Sequence, residues 1–124
     1  MKKAFFKNGM RTVKDDNGLV GFENENGELV IPCQYEWAKD GGFNEDGLCA
    51  VAQISENNEL VMGVIDKTGK VVVPIIYDDA GFIGDEEADD GYCKKGRIVT
   101  KTIEGKILIF EKDGTEVELP KPHK

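Results

Sequence analysis

Met62-Gly63-Val64-Ile65-Asp66-Lys67-Thr68-Gly69-Lys70-Val71-Val72-Val73-Pro74-Ile75-Ile76-Tyr77-Asp78-Asp79-Ala80 decides how this chain folds. Two runs rich in β-branched residues flank a short polar turn, the pattern of a hairpin. Gly69 supplies the positive φ that a tight turn demands. Pro74 has no N–H to give to a ladder, so it is expected to close the run Val71-Val72-Val73, the third strand of its unit. The stretch Val20 to Ala38 carries the same punctuation. Gly21, Gly27, Pro32, Tyr35 and Ala38 stand 42 residues before Gly63, Gly69, Pro74, Tyr77 and Ala80, without a gap. A third, weaker copy runs from Leu108 to Pro120 around Gly114, with one extra residue before its proline.

The segments between copies repeat as well. Phe43 to Gly47 has the spacing of Phe5 to Gly9, and Asp90-Gly91-Tyr92-Cys93 matches Asp46-Gly47-Leu48-Cys49. The chain therefore divides into units of about 5–42, 43–81 and 82–120 within one domain, 1–124. Each unit offers three strand signals. In the middle unit these are Leu48 to Ile54, Leu60 to Ile65 and Val71 to Val73. Leu19 to Phe22 and Ile107 to Phe110 are second-strand copies, and Leu29 to Ile31 is a third-strand copy. No helical period persists over 11 residues. The expected fold class is all-β: three tandem units of about three short antiparallel strands each, as an open spiral or a barrel-like closure. The expected core contains Val20, Phe22, Val30, Ile31, Leu48, Val51, Val64, Ile65, Val72, Ile109 and Phe110.

Composition narrows the function classes. The 124 residues carry 16 Lys+Arg against 24 Asp+Glu, a net charge of -8. Nucleic acids are bound by neutralising phosphates, so an acidic chain is expected to bind none. An anionic membrane surface is disfavoured for the same reason. No apolar run approaches the ~20 residues of a spanning helix. Met1-Lys2-Lys3-Ala4-Phe5-Phe6 starts like a signal peptide, but Lys7, Asn8 and Arg11 interrupt it before an apolar core forms. Cys33, Cys49 and Cys93 are odd in number with no CxxC, as for buried thiols in a reducing compartment. The expected location is cytoplasmic.

Catalytic patterns are missing. The only histidine is His123 and the only serine is Ser55, in the polar loop Ser55-Glu56-Asn57-Asn58. A nucleophile without a positioned base is weak. Zinc needs about four clustered ligands, and none cluster in the sequence. Gly41-Gly42 lacks the Lys-Ser/Thr of a phosphate loop. The acidic run Asp85-Glu86-Glu87-Ala88-Asp89-Asp90 does not follow calcium-loop spacing. The expectation is no enzyme, no cofactor and no metal.

The pattern from Gly63 to Ala80 resembles the bacterial WG (or KWG) repeat. The Trp that precedes the first Gly in that family is replaced here by Val20, Met62 and Leu108. The resemblance implies a β-rich tandem fold and an interaction role. Repeat units of this size bury their apolar faces on neighbours, so glycine and proline positions have a structural explanation.

The candidate partner-binding residues are Tyr35, Trp37, Tyr77, Asp78, Asp79, Asp85, Glu86 and Glu87. Trp37 stands where the next copy has Asp79, so the repeat does not require an aromatic there. Exposed Trp ringed by charge is a common interface anchor. The expected function is a non-catalytic protein-interaction module with a basic protein partner. Two alternatives are an acidic inhibitor of a basic enzyme, steered by charge, and a hydrolase using two opposed carboxylates.

Overall fold

The computed structural model describes residues 8–39, 42–82 and 97–117. Eleven strands follow in chain order: β1 (Met10–Lys14), β2 (Val20–Asn24), β3 (Leu29–Tyr35), β4 (Trp37–Ala38), β5 (Leu48–Ile54), β6 (Leu60–Asp66), β7 (Val71–Tyr77), β8 (Asp79–Phe82), β9 (Ile98–Lys101), β10 (Ile107–Phe110) and β11 (Glu116–Val117). They form three antiparallel sheets, β1-β2-β3, β4-β5-β6-β7 and β8-β9-β10-β11. Among the described residues no sheet closes into a barrel.

Among the described residues seven turns share one build, starting at Asp15, Asn24, Asn44, Ser55, Asp66, Thr102 and Glu111. In each, the first residue's N–H donates to the carbonyl four residues on, and the fourth residue's N–H returns to the first carbonyl. The fourth residue is left-handed in every one, a glycine in six and Asn58 in the remaining one. Where the first residue is Asp or Asn, its side-chain oxygen also accepts from the N–H groups two and four residues on, as at Asp66 from Thr68 and Lys70. This local bonding makes the polar residue as necessary as the glycine.

The proline expectation is corrected. β3 and β7 run through Pro32 and Pro74 to Tyr35 and Tyr77. Each proline sits in a bulge: Val20 pairs with Tyr35 and Phe22 with Ile31, so three residues oppose the single Gly21. Met62 pairs with Tyr77 and Val64 with Val73, and the bulge opposes Gly63. The bulge takes the proline out of the ladder, which is why the strand tolerates it. It also explains the glycine. A Cβ on Gly63 would lie 2.6 Å from Ile75 Cα, Pro74 O and Val73 O, and one on Gly21 would lie 2.5 Å from Ile31 O.

Two buried clusters hold the sheets together. Met10, Val20, Phe22, Ile31 and Tyr35 of the first sheet meet Phe43, Cys49, Val51 and Ile65 of the second unit. Leu48, Ala50, Ala52, Met62, Val64, Val73 and Tyr77 meet Ala80, Ile98 and Phe110 of the third sheet. β5 alternates Leu48, Ala50, Ala52 toward one neighbour with Cys49, Val51 toward the other. The middle sheet is thus covered on both faces, and its strands read as continuous apolar runs. Phe22 and Phe43 meet edge to face at 4.7 Å, and Tyr77 meets Phe110 at 5.9 Å.

Of the expected core, nine residues are buried. Val30 is exposed at 38%. It lies where β3 shifts register opposite Phe22 and Glu23, so period two fails there. Val72 is half-buried against the second cluster.

The third unit's alignment is also corrected. Turn and strand pairing set Gly114 against Gly69 and Ile109 against Val64, since Phe110 pairs with Glu116 as Ile65 pairs with Val71. Ile107, not Leu108, therefore holds the position of Val20 and Met62, and Leu108 holds the glycine position. In the first strand, Ile98 pairs with Phe110 as Cys49 pairs with Ile65. Ile98, rather than Cys93, is the counterpart of Cys49. Cys93 lies outside the described residues.

Candidate interaction surface

The sheets are handed from one to the next at Glu36 and Asp78. β3 ends at Tyr35, and two residues later Trp37 pairs with Ala52 of the second sheet. β7 ends at Tyr77, and Asp79 pairs with Lys101 of the third. The Glu36 N–H donates to the Ala52 carbonyl at 2.7 Å and the Asp78 N–H to the Lys101 carbonyl at 2.8 Å. Both hand-overs lie at the same end of the stack as the turns starting at Asp15, Ser55 and Thr102.

The sequence-predicted residues separate here. Tyr35 and Tyr77 are 2% and 8% exposed, so neither ring lines a surface, contrary to expectation. Each pairs with the buried residue that opens the repeat, Val20 or Met62. Burial pushes both phenols up in pKa, with Gln34 donating to the Tyr35 hydroxyl and opposing the shift, and Glu116 adding to it at Tyr77. Trp37 is 37% exposed, and Asp78 and Asp79 are exposed. Asp85, Glu86 and Glu87 lie outside the described residues.

Register shows why Trp37 is half covered. Trp37, Ala52, Met62 and Tyr77 form one cross-strand row over the four strands of the middle sheet. Three of the row are core, and Trp37 is its open edge. Other exposed apolar side chains gather at this end. Ile54 and Leu60 pair directly at the β5–β6 tip, and Ile103 and Ile107 occupy the β9–β10 tip. Sequence reasoning missed these four. The signal was present, since the middle hairpin extends two residues per strand beyond its copies and ends in the apolar pair.

A cleft of about 330 Å³ lies between Lys39, Asp79, Gly81, Phe82, Val99, Thr100, Lys101 and Ile107. Lys39 reaches from the second sheet to donate to the Ala80 carbonyl at 3.0 Å and to Asp79 Oδ1 at 3.4 Å. Gly81 makes room, because a Cβ there would lie 2.9 Å from Lys39 Nζ. The lysine therefore tethers the second sheet to the edge strand of the third.

Among the described residues no group of three or more His, Cys, Asp or Glu is placed to hold a metal ion. No helix among them is long and apolar enough to cross a membrane. Asp66 and Asp113 are both held below the usual carboxylate range. Asp66 is held chiefly by the Thr68 hydroxyl and Asp113 chiefly by the Thr115 N–H. Each of these two carboxylates is a turn-builder facing its own loop.

Stacked three-stranded meanders joined by sheet-to-sheet hand-overs define a tandem β-repeat protein. The WG containing repeat matches the chain at residues 21–58 and again at 62–87. Those two matches cover just over half the chain, which belongs to the WG-repeat family. No curated protein and no solved structure matches it.

Proposed function

We propose that this chain is a non-catalytic protein-interaction module that engages a basic protein through the end carrying the hand-overs. One observation carries the reading. Trp37, Ile54, Leu60, Ile103 and Ile107 are exposed at one end of the stack, beside Asp78, Asp79, Glu36, Glu56 and Glu59. Apolar anchors within a charged rim are the usual anatomy of a binding patch. The carboxylates and the net charge of -8 favour a cationic partner and speed the encounter at low salt. Cys33 and Cys49 are not joined in a disulfide, which fits action in a reducing compartment such as the cytoplasm.

The test is affinity capture from the native cell with the full chain and its Trp37→Ala and Leu60→Asp variants as bait, at low and high salt. A protein retained by the parent chain, lost by both variants and weakened by salt is the expected result. Equal recovery on all three baits refutes the reading.

A further inference from the structure

We propose that the outer edge of β1 is an acceptor slot for an extended acidic peptide of the hand-over type. The three sheets differ at one position. In the second sheet β5 is flanked by β4, and in the third β9 is flanked by β8. In the first sheet β1 is the edge, and among the described residues no strand lies beside it. Equivalence of β1 and β9 follows from register: Lys14 pairs with Val20 as Lys101 pairs with Ile107, one residue before a turn of the same build. Where β8 covers β9, Asp79, Ala80, Gly81 and Phe82 lie opposite Lys101, Thr100, Val99 and Ile98. The corresponding stretch of β1 is Lys14, Val13, Thr12 and Arg11.

The slot has hydrogen-bonding capacity to offer. The Asp15 N–H donates across the hairpin to Leu19. Antiparallel strands alternate the side to which backbone groups point, so Thr12 and Lys14 turn theirs to the open side. The Lys101 carbonyl, counterpart of that of Lys14, accepts from Asp78. Strand addition to such an edge is a general mode of peptide recognition. The lysine sets the chemistry of the occupant. Lys14 is exposed and holds the register position of Lys101, whose strand partner is Asp79, so an acid opposite it supplies the complementary charge. Ala80 is buried in its slot, so the following residue is small. The occupant is therefore an extended segment reading acid-acid-small, as in Asp78-Asp79-Ala80. This proposal stands independently of the Trp37 surface.

The experiment titrates the full chain, labelled with nitrogen-15, with the synthetic peptide Tyr-Asp-Asp-Ala-Gly-Phe, the sequence of residues 77–82. The expected result is shifts and slowed exchange at the Thr12 and Lys14 amides. Thr12→Pro removes one outward donor at an edge that tolerates proline and should weaken binding about tenfold. Lys14→Glu leaves the backbone intact and should weaken the parent peptide while favouring one with both acids changed to lysine. Shifts confined to Ala50, Ala52, Val99 or Lys101 would mean the peptide only displaces β4 or β8, and would overturn the proposal. Absence of any shift at millimolar peptide, or unchanged affinity in Lys14→Glu, also overturns it.

Discussion

Replacing Gly63 with alanine isolates the bulge that makes this repeat. The added Cβ lies 2.6 Å from three backbone atoms of β7: Ile75 Cα, Pro74 O and Val73 O. Ordinary contact begins near 3.4 Å, so β7 must withdraw by close to an ångström, with no rotamer to absorb the clash. Overpacking costs ~1–3 kcal/mol, and an encounter with backbone belongs at the upper end. Alanine also restricts the unfolded chain, which returns ~0.4–1 kcal/mol. The net loss is then ~2 kcal/mol, or a fall in Tm of roughly 6–10 °C for a chain of this length. Gly27→Ala is the control. No atom lies within 4 Å of its added Cβ, but its φ is +81°. Its cost is the left-handed strain of ~1–2 kcal/mol, and Gly27→Asn should recover part of it. Gly63→Asn should recover nothing. Thermal and urea unfolding followed by far-UV circular dichroism give the four values. A Gly63→Ala protein within ~0.5 kcal/mol of the parent, the size of an ordinary surface change, would refute the bulge argument. So would a Gly63→Asn protein more stable than Gly63→Ala.

Four further outcomes are expected. Ile65→Ala, at a fully buried position between the first and second sheets, should lose ~2–5 kcal/mol in urea unfolding, whereas Ile54→Ala at the exposed tip should lose under ~1 kcal/mol. Trp37→Ala should cost a captured partner ~2 kcal/mol or more of binding while stability falls by ~1 kcal/mol at most; a loss of ~3–5 kcal/mol in stability would mark Trp37 as a core residue. Because the Asp66 carboxyl is depressed in the folded state, its contribution is present above the unfolded value of ~3.9 and is lost as pH falls through the folded one; in Asp66→Asn, which keeps the turn's acceptor, stability measured from pH 6 to 2 should fall less steeply than in the parent. Cys49→Ser, at a fully buried site, should cost ~1–3 kcal/mol by calorimetry, more than Cys33→Ser at its half-buried one.

How much was legible in one dimension depended on whether its cause was local. Each turn is built by a residue and a left-handed residue three places later, a glycine in all but the Ser55 turn, so Asp66 with Gly69 and Asn24 with Gly27 announce hairpins without reference to the rest of the chain. β5 runs from Leu48 to Ile54 as its apolar residues indicate. The offset of 42 between Gly21 and Gly63 carries the repeat, and with it the stacking of units that cannot bury their faces alone. Tertiary structure decided the rest. The prolines look like strand ends because a missing donor is a local fact, whereas the bulge that accommodates them exists only opposite Gly21 and Gly63 on another strand. Trp37 and Asp79 lie one residue beyond a solvent-facing acid, and nothing nearby in sequence reveals that they begin the next sheet by pairing with Ala52 and Lys101. Tyr35 and Tyr77 resemble surface aromatics beside acids, yet the cross-strand row to Val20 and Met62 draws them inside. In the third unit the extra residues before β9 displace the alignment, and only the pairing of Ile98 with Phe110 restores it, because register is fixed by which faces are buried together rather than by which residues look alike.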